Sequence, residues 1–188
     1  MHHHILKKFD DPKYFHGQSF DSFCQQIKWI KNQANQQKIK ELYEDQNGCF
    51  VTLDDGLKSH LTPAQLLFRS KMKGKFYYCT SVVYEKVVLN VHLTHILLKL
   101  LNLRKKKLLM IELKKKLPFN HSGYDTDFVY RNQKSSDLDW EIKTLVNYKC
   151  PQEPVRDILL YFLKSFGGVI EKELHASIYM NLKDLKEI

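Results

Sequence analysis

Two carboxylates and a lysine in the second half of the chain have residue types and a spacing that could hold a divalent cation. Asp127 opens the short apolar run Asp127–Tyr130, and Glu141 follows 14 positions later, with Lys143 two positions beyond it. Carboxylate oxygens are the ligands that Mg²⁺ prefers in proteins. If both runs are β-strands, Glu141 and Lys143 project from one face, because side chains alternate along a strand.

This pattern resembles the core of the PD-(D/E)xK nucleases. The resemblance implies that Asp127 and Glu141 bind Mg²⁺, while Lys143 orients the attacking water or stabilises charge. The match is incomplete, because Thr126 stands where that family has a proline before the aspartate. We keep a Mg²⁺-dependent nuclease as the alternative function.

Two features favour a non-catalytic interpretation of the same residues. The segment Glu112-Leu113-Lys114 repeats the Glu-x-Lys pattern without an aspartate partner, so the pattern arises readily in this chain. Asp137 is a suitable N-cap for a helix from Leu138 to Tyr148, which would replace the second strand. We therefore predict a protein without catalytic residues, a metal site or a cofactor.

Two basic runs flank an apolar one between positions 104 and 116. The cations are Arg104, Lys105, Lys106, Lys107, Lys114, Lys115 and Lys116. The whole chain has 30 Lys and Arg against 21 Asp and Glu, a net charge of +9, which favours an acidic partner and nucleic acid first. We predict that these runs contact phosphates. The alternative is a solvated edge strand whose charges discourage aggregation.

The elements that would position these residues read mainly as strands. A first strand is expected from Gln25 to Ile30, and a second from Cys49 to Leu53 before the turn Asp54-Asp55-Gly56. A short helix or third strand follows within 62–72. Residues 75–84 and 87–94 then read as a hairpin of two long strands, the second with apolar side chains at alternate positions.

This order of elements, with the segments Val51–Gly56 and Gly74-Lys75-Phe76, resembles the OB-fold of the telomere and replication protein A group. The resemblance implies a mainly β fold with helices, a five-stranded antiparallel barrel followed by a C-terminal helical extension. The expected domains are an arm at 1–20, the barrel at 21–103, a basic segment and loop at 104–136, and helices at 137–188.

Within that group the chain is most similar to subunits that act through protein contacts: the shelterin telomerase recruiter, ciliate telomerase accessory subunits and the small subunits of the CST complex. The resemblance implies a non-catalytic accessory subunit of a telomere maintenance complex, the telomerase holoenzyme first, at chromosome ends in the nucleus. Its partners would be other protein subunits, with single-stranded DNA or RNA as a further ligand. Candidate base-stacking residues are Phe76, Tyr77, Tyr78 and Tyr84, although strand alternation would bury about half of them.

A leucine-rich segment after the barrel predicts a protein interface. Its candidate contact residues are Leu97, Leu100, Leu101 and Leu103. On a helix these side chains spread over more than half the circumference, so one barrel mouth cannot cover them all. We expect the remaining apolar surface to contact another protein.

The C-terminal part reads as three helices. Pro154 suits a first helical turn, Gly167-Gly168 ends that helix, a second covers Ile170–Tyr179, and a third opens at Asn181. A helical cap on the barrel is the expected arrangement, and a winged-helix module is the alternative.

Cysteine usage and hydropathy limit the class of protein. The four cysteines, Cys24, Cys49, Cys79 and Cys150, are widely separated and form no CxxC pair, which predicts reduced thiols in an intracellular protein. No apolar run reaches the roughly 18 residues of a membrane span, so no membrane partner is expected. We assign no chemistry to His2–His4, because the run is either native or the remnant of a tag.

Overall fold

The computed structural model describes residues 5–6, 17–34, 50–117 and 137–187. The chain divides into two compact units, Met1–Val87 with His175–Ile188, and Val88–Leu174. The described residues are mostly helical, and their only sheets are two pairs of short parallel strands. The prediction of a mainly β, five-stranded antiparallel OB barrel is therefore wrong.

The first unit begins with a small parallel pair, β1 (Ile5–Leu6) and β2 (Gln18–Ser19), followed by helix α1 (Phe20–Ala34). The strand predicted at 25–30 lies inside α1. Phe23 and Ile27 are buried four positions apart on one face, and that spacing belongs to a helix. Asp21 in the first turn and Lys31 in the last turn also complement the helix dipole.

A strand–helix–strand unit follows. Strand β3 (Phe50–Leu53) leads through a 3₁₀ turn (Lys58–His60) into helix α2 (Leu61–Arg69), and β4 (Lys73–Phe76) then pairs with β3 in parallel. The predicted strand that ends at Leu53 and the short helix are confirmed. The hairpin predicted from Gly74 onward is wrong, because β4 pairs with a strand that precedes α2 in the chain.

The core of the first unit gathers these elements around a few apolar side chains. Its buried members are Phe23, Ile27, Val51, Leu53 and Leu67. They come from α1, β3 and α2, which explains why β3 buries one face and α2 buries the stripe that contains Leu67.

Two short helical segments occupy the region where the long strands were expected. Helix α3 covers Thr80–Tyr84, and helix α4 covers Asn90–Leu100. Leu93, Ile96 and Leu97 are fully buried at the i, i+3, i+4 spacing of a helix. The alternation between 87 and 94 was too short to outweigh this pattern.

The second unit continues with three more helices. They are α5 (Leu103–Lys114), α6 (Asp137–Thr144) with a π-helical turn at Leu145–Lys149, and α7 (Gln152–Phe162) with a π-helical turn at Leu163–Gly167. Helix α4 packs on α7, and α5 packs on α6 and α7. The helix predicted as the alternative at Leu138–Tyr148 is confirmed, as is the stop after Gly167, where Gly168 has a φ of 62°.

Two helices complete the described chain, α8 (Glu171–Ile178) and α9 (Leu182–Lys186). A helix opening at Asn181 was predicted, and Asn181 caps α9 by accepting hydrogen bonds from the backbone of Lys183 and Asp184 at 2.8 and 3.0 Å. In the first unit, the backbone N–H of Met180 donates to the carbonyl of Gly56 at 2.9 Å. Among the described helices none is both long and apolar enough to cross a bilayer.

Candidate nucleic-acid interface

Strand β4 presents a row of cations that ends in an aromatic ring. Lys73 and Lys75 are exposed on one face of the strand, while Gly74 and Phe76 on the other face are half-buried. Exposed Tyr77 follows directly after the strand, and exposed Lys71 lies just before it in a turn, where its φ is 54°. We call Lys71, Lys73, Lys75 and Tyr77 the strand row. Alternate residues of a strand lie about 6.6 Å apart, so Lys73 and Lys75 are held at that spacing, with Lys71 in the preceding turn.

The backbone of Tyr77 is fixed although its side chain is open. Its N–H donates to the carbonyl of Leu53 at 2.9 Å, and its own carbonyl accepts from the N–H of Gly56 at 3.1 Å. The ring itself is 53% exposed. Gly56 has a φ of 64°, and a Cβ at that position would meet the Tyr78 Cβ at 3.0 Å, so this close approach requires glycine. A rigid backbone with an exposed ring is suited to stacking on a flat ligand group.

The structure separates the four aromatic residues that the sequence proposed for base stacking. Tyr77, Tyr78 and Tyr84 are exposed, whereas Phe76 is half-buried and packs against the core of the first unit. Fewer of them are buried than strand alternation suggested, because the chain leaves the strand after Phe76 and 80–84 is helical.

The predicted basic segment is helix α5, and its cations divide into two groups. Lys106 forms an ion pair with Asp139 at 2.8 Å, Lys115 pairs with Glu112 at 2.6 Å, and Lys114 pairs with Glu141. The Lys105 ammonium lies 4.6 Å from the centre of the Phe166 ring. The expectation of an edge strand here is not met, since Leu109 and Leu113 are buried four positions apart and Asn102 caps the helix.

The remaining cations of that segment point away from these contacts. Arg104, Lys107 and Lys116 are exposed, and no ion pair joins them to another residue in the part of the chain that the structure describes. Only part of the predicted phosphate-binding set is therefore open to a ligand. Lys105 and Lys106 have contacts within the second unit.

The nuclease interpretation depended on two adjacent strands. Asp127 lies outside the described residues, and Glu141 and Lys143 both lie on helix α6. Two positions along a helix are separated by about 200° around its axis, so these side chains do not share a face. Within the described ranges there is no cluster of three or more potential metal ligands.

The surroundings of Lys143 lower the pKa of its ammonium group. Burial lowers the pKa of Lys143, the Lys106 charge lowers it further, and the Asp139 carboxylate opposes both effects. These neighbours account for the shift without a catalytic partner.

The lowered pKa of Lys143 predicts how the stability of the fold changes in alkaline solution. The folded pKa of Lys143 is below the ordinary lysine value, so the unfolded chain binds more protons between the two values, and stability should rise with pH in that window. Lys143→Met removes the ammonium. We expect the stability of the native protein relative to Lys143→Met to increase as pH rises through the window. Urea titrations at several pH values would measure it, and a constant difference would contradict the assignment.

The four leucines predicted to contact a partner occupy different environments. Leu97 and Leu101 are buried in the second unit, Leu100 is half-buried near Gly167, and Leu103 is 63% exposed. Leu97 and Leu101, two of the four predicted partner contacts, are covered by the same unit, while a partner contact at Leu100 and Leu103 stays a prediction.

The three described cysteines differ in exposure: Cys150 is buried, Cys24 is half-buried and Cys79 is exposed. Cys24, Cys79 and Cys150 are free, and burial raises the pKa of Cys24 and of Cys150. The Cys150 thiol lies 3.4 Å from the carbonyl of Leu113. Cys49 lies outside the described residues.

Sequence reasoning did not single out Lys71 and Lys73 as binding residues. A signal was present, because lysine recurs at every second position from 71 to 75 and an aromatic follows at 77. The basic runs around α5 contain more positive charge and are therefore the stronger signal in the sequence. No family model, curated protein or solved structure matches the chain.

Proposed function

We propose that this protein is a non-catalytic binding protein for single-stranded nucleic acid, and that the strand row is its contact surface. One observation carries the proposal: two exposed lysines alternate along strand β4, a third lies in the turn just before it, and an exposed tyrosine with a fixed backbone follows. The net charge of +9 supports a polyanionic ligand.

The chemistry of the row matches the two parts of a nucleotide. Lysine ammonium groups neutralise phosphates, and a tyrosine ring stacks on a base whatever its identity. An extended row suits an extended single strand, because successive phosphates then meet successive cations. The proposal predicts binding with weak sequence preference and strong salt dependence.

A competing explanation assigns the lysines to protection of an open sheet edge. Exposed edge strands often have lysines that prevent pairing with other chains. In that case the lysines would have no ligand. Removing them would leave nucleic-acid binding unchanged and would promote aggregation.

The test compares two variants that lose the same charge. Lys71→Gln, Lys73→Gln and Lys75→Gln together should weaken binding of a labelled oligo(dT) or oligo(rU) about tenfold or more. They should also reduce the slope of log affinity against log salt by about 2, since each single-strand phosphate contact contributes about 0.7. The matched control, Arg104→Gln with Lys107→Gln and Lys116→Gln, removes three exposed cations from α5. Fluorescence anisotropy at several salt concentrations measures both.

The aromatic end of the row has its own variant in the same assay. Tyr77→Ala should weaken binding by about 1–3 kcal/mol, whereas Tyr77→Phe keeps the ring and should bind normally. If the strand-row variant and the α5 variant lose affinity equally, binding depends only on the overall positive charge of the protein. That result, or undetectable binding by the native chain, would contradict the proposal.

Membership of a telomere or telomerase assembly, and a location at chromosome ends in the nucleus, stay predictions. The strand order that suggested them is absent from the described residues, so the proposal does not depend on them. Co-sedimentation of the purified chain with candidate telomerase subunits would test this narrower assignment.

A further inference from the structure

A second surface, in the unit Val88–Leu174, has a different chemical character from the strand row. A groove of about 760 Å³ runs between helices α5 and α7. All of its lining residues belong to this unit.

Three rows of residues line the groove, two that form its walls and one that forms an apolar floor. Each wall and the floor is a set of residues four positions apart on a helix, which forms a continuous ridge along the helix surface. The α5 wall consists of Leu108, Glu112 and, in the turn just after the helix, Lys116. On α7, the ridge Glu153, Asp157 and Tyr161 forms the other wall, and Pro154, Ile158 and Phe162 lie beside it as the floor.

The shape of the groove indicates a linear ligand. The α5 wall extends about 12 Å from Leu108 to Lys116, or roughly two helical turns, so a helical segment of similar length can lie along it. Leu108 and Tyr161 are exposed large apolar side chains at the margins of the groove. An amphipathic helix placed in such a groove lays apolar side chains from successive turns on the floor.

The charged side chains of the walls indicate the sign of the charge on that ligand. Glu112 is paired with Lys115 at 2.6 Å, which leaves Glu153 and Asp157 as exposed carboxylates on α7 without an ion-pair partner in the described ranges. Lys116 is the one cation of the described lining. The α7 wall of the groove is therefore acidic on a protein whose net charge is +9.

We propose that this groove binds a basic amphipathic helix of a partner protein. Two or three apolar side chains of that helix pack on Pro154, Ile158 and Phe162. Lysine or arginine side chains on its flank pair with Glu153 and Asp157. Electrostatic complementarity of this kind selects the partner and sets its register, while the apolar floor provides most of the affinity.

The probes for the test are two helix-forming 16-residue peptides built on alanine. Both have leucine at positions i, i+4 and i+7, and their flanking positions hold arginine in one peptide and glutamate in the other. Fluorescence anisotropy with the full chain should show about tenfold tighter binding of the arginine peptide, because two exposed pairs change from attraction to repulsion. Equal affinity for the two peptides, or no binding of either, would overturn the proposal.

A charge exchange on the protein locates the site. Glu153→Lys with Asp157→Lys should invert the preference, so that the glutamate peptide binds about tenfold more tightly than the arginine peptide. The matched control, Glu85→Lys with Glu173→Lys, changes the net charge equally at two exposed carboxylates elsewhere and should keep the native preference. Inversion in both variants, or in neither, would contradict a site at this groove.

The floor is tested separately from the charges. Ile158→Ala should weaken both peptides about fivefold, because a buried apolar contact is lost whatever the flank charge. An unchanged affinity would contradict the assigned floor. If the native chain instead self-associates at its groove, and both Glu153→Lys with Asp157→Lys and the arginine peptide abolish that association, the occupant is a second copy and the partner-protein proposal fails.

Discussion

Leu97→Ala is expected to lower the free energy of unfolding by about 2–5 kcal/mol, the cost of removing a fully buried leucine and leaving a cavity. Leu97 has 0% exposure in helix α4. The matched control is Leu103→Ala, the same substitution at a side chain that is 63% exposed, which should change stability by less than about 0.5 kcal/mol. Urea denaturation followed by circular dichroism measures both variants.

This pair of variants also decides between two roles for the leucine-rich segment. The sequence assigned both leucines to a partner interface, and an interface leucine can be truncated with little effect on the isolated chain. A large loss at Leu97 alone places it in the core and leaves Leu103 available to a partner. Similar stability in the two variants would contradict the packing described for α4.

Arg156→Met should cost about 2 kcal/mol, because it removes a cation from a partly buried network and leaves its carboxylate unpaired. One Arg156 Nη atom donates to the carbonyl of Val88 at 2.7 Å, and the other pairs with Glu171 Oε1. The same Oε1 accepts the N–H of Val88 at 2.8 Å. Both charged side chains are only 25% exposed, so solvent screens the pair weakly.

A double-mutant cycle isolates this network from general charge effects. Arg156→Met, Glu171→Gln and the combined variant should show a coupling energy of about 1–2 kcal/mol. The comparison pair is Lys115 with Glu112, which is more exposed and should couple by less than about 0.5 kcal/mol. Chemical denaturation supplies all the values. Additive effects of the Arg156 and Glu171 substitutions would show that the bonds do not stabilise the fold.

Several elements could be predicted from the sequence because their signals are local. Pro63 lies in the first turns of α2 and Gly168 ends the helical segment begun by α7, as their backbone preferences require. Asn181 caps α9 through its own side chain. The strand that ends at Leu53 stops where the turn residues Asp55 and Gly56 adopt positive φ.

Two predicted strands are helices because a short run of apolar residues can fit both the two-residue repeat of a strand and the 3.6-residue repeat of a helix. Val87 to Leu93 alternates over only seven positions, whereas Leu93, Ile96 and Leu97 follow the helical spacing. The same holds for α1, where Phe23 and Ile27 lie four positions apart. Longer-range packing selected the helix in each case, and a window of six to eight residues does not contain that information.

The two candidate surfaces show the same division between sequence and tertiary structure. The sequence alone determined that lysine recurs at every second position before Tyr77, and that Glu153 and Asp157 are four positions apart. Only the tertiary structure decided that β4 pairs with β3 and leaves those lysines exposed. It also decided that α5 and α7 lie side by side to form a groove. The reason is physical: spacing along the chain sets which side chains share a face, but contacts between distant segments set whether that face is buried or open.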